Sequence, residues 1–365
     1  MSDERVSGEF DVVVVGGGTA GLSGALTLAR ARRSVLVVDA GEPRNAPAAA
    51  AHGLLSRDGV APLELLRAGR DEVAGYGGEL RSARVTAARR TEKGFAVVTD
   101  GGKVYGARRL LVTTGLVDEL PPVPGLRERW GRDVLHCPYC HGWEVRDTPI
   151  GVLGTSAASV HQALLFHQWS RKITLFLHTG PEPGEEQWER LAALGIEVVE
   201  GEVAGLDVTD DALTGVRLAS GPRVPVRALA VAPRLAARGE FLSGLGIGTA
   251  EHPTGMGTYV PSDASGATDV PGVWAAGNVT DPMGSVPMAQ AGGMTAAAAI
   301  NADLVNADAD EAVARRRAAA GDSAVGVDFT TVFSAADEAA VCERVLGDRR
   351  HGVDSLLAST PSDES

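Results

Sequence analysis

Residues 11–21 read Asp11-Val-Val-Val-Val-Gly-Gly-Gly-Thr-Ala-Gly21, and this stretch decides the fold. Four consecutive valines make a short β-branched run of the kind buried on both faces of a parallel sheet. Gly16, Gly18 and Gly21 follow at G-x-G-x-x-G spacing, with Thr19 and Ala20 inside the turn, and Leu22-Ser-Gly-Ala-Leu-Thr-Leu-Ala-Arg30 continues as a helix. A second apolar strand, Ser34-Val-Leu-Val-Val-Asp39, ends on an acid. Glycine is needed for the tight turn, for close approach of a pyrophosphate to the backbone, and for packing the helix hard against the strand. The helix start offers free N–H groups and a positive dipole end to phosphates, and Asp39 is placed to accept hydrogen bonds from ribose hydroxyls. A glycine turn alone marks only a helix start. Strand, turn, helix, strand and terminal acid in this order predict dinucleotide binding.

The pattern recurs mid-chain. Pro149-Ile-Gly-Val-Leu-Gly154 leads into a helical stretch from Ser156 to Trp169 and then the strand Lys172-Ile-Thr-Leu-Phe-Leu177. Parallel strands joined by helices imply an α/β fold. Leu120-Pro-Pro-Val-Pro-Gly125 is too proline-rich for a helix or central strand and reads as a hinge. Glu251-His-Pro-Thr-Gly-Met-Gly257 reads as the return, before the strand-like Gly272-Val-Trp-Ala-Ala-Gly-Asn-Val279. The expectation is two Rossmann-like three-layer nucleotide-binding domains, the second inserted into the first. Residues 1–119 and 251–306 form the first, 120–250 the insert, and 307–365 an Ala- and Arg-rich tail. Cys342, in that tail, reads as a small buried hydrophobe on a helix.

The chain has 365 residues, with 34 Lys and Arg against 47 Asp and Glu and a net charge of −13. That balance repels phosphate backbones, so nucleic acid is not an expected partner. No apolar run approaches the ~18 residues needed to cross a bilayer and none sits at the start, so the expectation is a cytoplasmic protein without a membrane segment.

Three cysteines cannot build a secreted disulfide framework, but two of them stand at C-x-x-C spacing in His136-Cys-Pro-Tyr-Cys-His141. A reversible disulfide needs two sulfurs within bonding distance and an accessible thiolate, and C-x-x-C at a helix start supplies both. Buried unpaired cysteines or a zinc site are the alternatives. Zinc usually wants a second ligand pair and the remaining cysteine is remote, so no metal is expected. His141 directly follows Cys140, and an imidazole of ordinary pKa ~6.5 takes a thiol proton at working pH better than a carboxylate does. It either acts as that base or orients the loop; His136 either joins the chemistry or supports it from behind.

Gly277-Asn278 after a strand, and Gln290-Ala291 opening a late helix, complete a pattern that resembles the two-domain flavoprotein disulfide reductases, specifically thioredoxin reductase and its relatives. The resemblance covers nearly everything up to about residue 305. It implies FAD, enclosed by the first loop, by a Thr-Gly element at Thr114-Gly115, and by the segments at Gly277-Asn278 and Gln290-Ala291. It also implies a redox disulfide at Cys137 and Cys140, the second cysteine against the flavin, and a homodimer. Asn278 stands where the reductases have an aspartate, and its amide can still bond a hydroxyl or phosphate. His141 likewise replaces an aspartate. Arg44 and Asn45 either reach the flavin or form a surface turn after Pro43.

The second nucleotide unit departs further. Its loop, Gly154-Thr-Ser-Ala-Ala-Ser159, carries Ser156 and Ser159 at the second and third fingerprint positions, where side chains crowd a pyrophosphate. After Leu177 the reductases show a His-Arg-Arg element; here only His178 remains, followed by Glu182, Glu185 and Glu186, which repel phosphate. The NADPH site is therefore expected to be weak or absent. A flavin with a dithiol but no nicotinamide reductant runs in the oxidative direction. In this respect the Cys-x-x-Cys-His-Gly arrangement resembles the dithiol oxidases that close disulfides in gliotoxin- and holomycin-type natural products. The resemblance implies that a small-molecule dithiol attacks Cys137 and that Cys140 passes electrons to FAD, with oxygen as acceptor. The substrate would sit among the loops at His52 to Asp58 and Met283 to Met288. The rivals are an NAD(P)H-dependent disulfide reductase and an FAD-bound sensor without turnover.

Overall fold

The valine run forms the strand Glu9–Val15 inside a seven-stranded sheet, flanked in parallel by Val35–Asp39 and Val104–Val112. Glu79–Ser82 extends the sheet beyond Val35–Asp39. Val104–Val112 divides its other edge: its first half pairs antiparallel with Gly94–Thr99, which pairs with Val85–Thr91, and its last residues pair in parallel with Val273–Ala275. This computed structural model describes residues 6–319 together with residues 340 and 343, so Cys342 and the stretch from 328 to 333 lie outside the described residues.

The alternation of strand side chains explains why four valines are required. Val12 and Val14 face one core with Leu22, Ala25 and Leu28 of the helix Thr19–Arg30 and with Ile300 and Leu304 of the helix Val286–Ala319. Val13 and Val15 face another, with Phe95, Val97, Phe241 and Val260. All four are at most 3% exposed. At ~25 cal/mol per Å² of apolar surface, each buried valine contributes about 1.5 kcal/mol or somewhat more, an upper bound because unfolded chains already bury part of that surface.

A second sheet repeats the plan. Its five strands, all parallel, run in the order Glu197–Val199, Ile173–Phe176, Ile150–Leu153, Ala228–Val231 and Val134–Leu135. One face packs on the helices Ala158–Phe166 and Glu185–Ala193, the other on the antiparallel strands Val203–Thr209 and Ala212–Leu218. Leu116–Glu119, just before the proline-rich stretch, pairs antiparallel with Arg234–Ala237, just after Ala228–Val231. The first core resumes at Ala237, Phe241 and Leu242, ahead of the stretch 251–257.

Two helix starts differ from the expectation. The first helix begins at Thr19, so Gly21 lies within it. The late helix begins at Val286, four residues before Gln290, with Pro287 in its first turn where the missing N–H costs nothing.

Candidate active site

One cavity of about 740 Å³ runs from the first glycine loop to the two cysteines. Gly16, Gly17, Gly18, Thr19 and Ala20 line one end, Cys137, Cys140, His136 and His141 the other. The fingerprint glycines are glycine for different reasons. A Cβ at Gly16, whose φ is +107°, would stand 2.4 Å from the Thr113 carbonyl oxygen, and one at Gly21 would stand 1.9 Å from that of Gly16. The protein itself excludes side chains there. A Cβ on Gly18 would meet nothing within 4 Å and would project into the cavity mouth, the place a close-approaching pyrophosphate takes up. The loop therefore fits a dinucleotide, and Thr113 clamps it by donating its hydroxyl to the Gly16 carbonyl at 2.8 Å.

Most other predicted cofactor contacts line the same cavity. Asp39 does so while accepting the Gly17 N–H at 3.0 Å and Arg70 at 3.0 Å. Each carboxylate oxygen retains acceptor capacity for a ribose. Gly115 and Asn45 are also in the wall, as is Thr114, whose hydroxyl donates to the Arg238 carbonyl at 2.6 Å. Asn278 donates both N–H groups of its amide to the Asp281 and Gly284 carbonyls, at 2.9 and 2.8 Å, leaving its Oδ1 acceptor for a cavity ligand. Gly21 and Gly277 stand behind the wall. Gln290 and Ala291 do not line the cavity either; Val286 and Ala289 of the same helix do. The part of this helix that meets the cavity is its first turn, which begins at Val286 and not at Gln290.

Arg44 faces the cavity, but its guanidinium is held in a two-pronged pair by Asp118, Nε at 2.9 Å and Nη2 at 2.7 Å. Asp118 is only 7% exposed and was missed in the sequence, where Leu116-Val-Asp-Glu119 carries no motif. The strand's alternation, which turns Leu116 and Asp118 to the same side, was the available signal.

Cys137 and Cys140 are disulfide-bonded, with Cys137 capping the short helix Pro138–His141. The Cys140 and His141 N–H groups both point back to the Cys137 carbonyl, at 3.3 and 3.2 Å, which holds the two sulfurs on one turn. His136 donates Nδ1–H to the Val231 carbonyl at 3.2 Å, and burial holds its pKa below the ordinary histidine range. His141 is lowered chiefly by burial as well, with nearby Glu144 opposing and His52 adding to the fall. Neither ring nitrogen of His141 has a hydrogen-bond partner among the described residues, so whichever one carries no hydrogen is free to accept a substrate proton. His52 also lines the cavity, from the loop between Ala51 and Val60. Met283 lines it too.

The second glycine loop is closed on itself. The Ser159 hydroxyl, buried, accepts the N–H groups of Thr155 and Ser156 at 3.2 and 3.4 Å, the groups a phosphate would otherwise take. His178 accepts the Val203 N–H at 3.0 Å and so braces the start of the strand Val203–Thr209. No cluster of metal-ligating side chains occurs among the described residues, and no helix among them is long and apolar enough to cross a membrane.

A family model described as pyridine nucleotide-disulphide oxidoreductase matches residues 10–301. The chain is 31% identical over 316 residues to thioredoxin reductase sirT of Leptosphaeria maculans, spanning 82% of this chain and 95% of that protein. The crystal structure of HlmI matches with a TM-score of 0.80 and 46% identity, over 86% of this chain and 98% of the other. An oxidoreductase from Agrobacterium tumefaciens matches with a TM-score of 0.77 and 38% identity, over 81% and 99%. The resemblance to thioredoxin-reductase-like flavoproteins and the fold it implied are borne out.

Proposed function

Since the chain belongs to the pyridine nucleotide-disulphide oxidoreductase family, as an FAD-dependent enzyme of the thioredoxin-reductase-like kind, we propose that it oxidises a small-molecule dithiol to a disulfide. The observation that carries the direction is the Ser159 hydroxyl seated on the second loop's N–H groups, which competes with a nicotinamide dinucleotide for its phosphate contacts. The glycine loop at Gly16 to Ala20, Asp39 and the Asn278 Oδ1 would hold FAD, with Arg44 and Asn45 in the wall beside it.

His141 takes the proton of the first substrate thiol, and the thiolate attacks Cys137, releasing Cys140 as a thiolate. The second substrate thiol then displaces Cys137. Two S–H bonds and the Cys137–Cys140 bond are exchanged for one substrate disulfide and two cysteine thiols, and His141 returns its proton to a leaving sulfur. His136, neutral and tied to the Val231 carbonyl, holds the segment in place. FAD, when bound, would supply a two-electron acceptor for the cysteine dithiol, and oxygen would be the final acceptor. The same reading has the enzyme act as a cytoplasmic homodimer.

The test is to reduce the flavin-loaded protein anaerobically with NADPH, NADH or a dithiol in turn, then admit air. Bleaching by the dithiol alone and recovery in air are expected. Bleaching by NADPH at catalytic rates overturns the oxidase reading in favour of a reductase, and no bleaching by any reagent leaves a flavin-bound protein without turnover.

A further inference from the structure

The loop from Ala51 to Val60 contributes a side chain to the dithiol end of the cavity that the scheme above does not use. Its ends are joined by the Ala51–Val60 bridge, it turns through Gly53, Ser56 and Gly59 at positive φ, and it exposes Leu55 almost fully. A histidine on such a loop would ordinarily move freely. His52 instead has a carboxylate on each ring nitrogen: Asp58 at 3.3 Å from Nδ1 and Glu144 at 3.4 Å from Nε2. Asp58 is itself fixed to the loop, accepting the Gly53 N–H at 2.8 Å. Glu144 belongs to the other side of the site, three residues beyond His141.

We propose that His52 is a positioning residue for His141, acting through the Glu144 carboxylate that its Nε2 faces. This rests on the reading of His141 as the thiol base. Lacking a hydrogen bond of its own, His141 takes its orientation and charge balance from packing and from the ionisable groups around it. Those groups are Glu144 on its own segment and His52 from the opposite loop. Arg44 and Asp118 act on His136 instead. Glu144 favours a proton on His141 and His52 disfavours it, so the two oppose each other at one imidazole. Engagement of Glu144 by His52 moderates the carboxylate's pull and keeps His141 able to accept a thiol proton near neutrality. Asp58 keeps the His52 ring aimed at Glu144 rather than at solvent.

The experiment uses the full-length, flavin-loaded protein under anaerobic conditions with dithiothreitol as the dithiol. Reduction of the Cys137–Cys140 disulfide is followed across pH by acid quench, alkylation and mass counting of free thiols. As base, His141 gives a rate that falls on the acid side. His52→Gln should move that acid limb to higher pH and Glu144→Gln should move it to lower pH. A pH unit or more below the wild-type midpoint the rates should then be roughly two- to threefold lower for His52→Gln and two- to threefold higher for Glu144→Gln, the scale of partly exposed charge pairs. Asp58→Asn should follow His52→Gln more weakly. Equal flavin content and far-UV spectra establish that each variant is folded. The proposal is overturned if the two limbs coincide with wild type or move together, or if the variants slow the reaction at every pH without moving the limb, as a merely structural role would. If in addition His141→Gln keeps the acid limb, the assignment of the base fails, which separates that failure from failure of the His52 role.

Discussion

The two glycine loops begin from the same local plan and end in opposite states. Both join a buried parallel strand to a helix, and in both the first glycine is enforced by backbone pressing on it: Thr113 at Gly16, and the Phe176 and Leu177 carbonyls, each at 2.5 Å from a would-be Cβ, at Gly154. They part at the next fingerprint positions. The first keeps Gly18 open toward a large cavity that also holds the disulfide; the second folds the Ser159 hydroxyl onto its own N–H groups. A strand–turn–helix is thus a scaffold that supports binding only while its donors stay unpaired. One hydroxyl in the wrong place supplies internally the hydrogen bonds that a phosphate would bring.

The largest effect tests whether the open loop matters only together with the dithiol it shares a cavity with. Cys140→Ser should retain FAD yet lose turnover of a dithiol by roughly a thousandfold or more, read by oxygen uptake. Substantial residual turnover would separate the loop from the disulfide. Next, Gly18→Val should weaken FAD binding roughly tenfold or more while leaving the Tm of the flavin-free protein nearly unchanged. Gly21→Ala should instead cost about 1–3 kcal/mol of stability, because its Cβ strikes the Gly16 carbonyl. Denaturant titration and flavin absorbance distinguish the two, and equal destabilisation would break the argument that Gly18 is there for the ligand.

A smaller effect is a pH dependence of stability. His136 and His141 at the cavity, and His178 beside the second loop, are all lowered from 6.5, chiefly by burial. An unfolded histidine binds a proton near that value while these do not, so stability is fullest above pH ~6.5 and declines as pH falls through it toward the lowered values. A Tm that stays flat between pH 7 and about 5 would show that burial does not penalise the charged forms. The smallest effect belongs to the closed loop: Ser159→Ala should change dithiol turnover by less than about twofold and should not by itself permit reduction by NADPH. The cationic partners for a 2′-phosphate are still missing after Leu177. Efficient bleaching of that variant by NADPH would reduce the difference between the loops to a single oxygen atom.

Much of the site was legible because its logic is local. The valine run, the glycine spacing, Asp39 at a strand end and the cysteines three apart each lie within one element, where periodicity and backbone constraint act over a few residues. The serines in the second loop were legible as crowding side chains; that Ser159 replaces the ligand's hydrogen bonds required the folded turn. Gln290 and Ala291 read as the helix opening, although Pro287, a residue favoured in a helix's first turn, marks a start one turn earlier at Val286.

The amino-acid order by itself determined two nucleotide-type units, a dinucleotide-type loop and a cysteine pair at disulfide spacing. It could not determine which distant side chains meet at the cavity. Arg44 with Asp118, and His52 with Glu144, are joined across long stretches of chain. Only close packing of separate elements brings such groups within bonding distance, and a hydrogen bond reaches about 3 Å whatever the separation along the sequence.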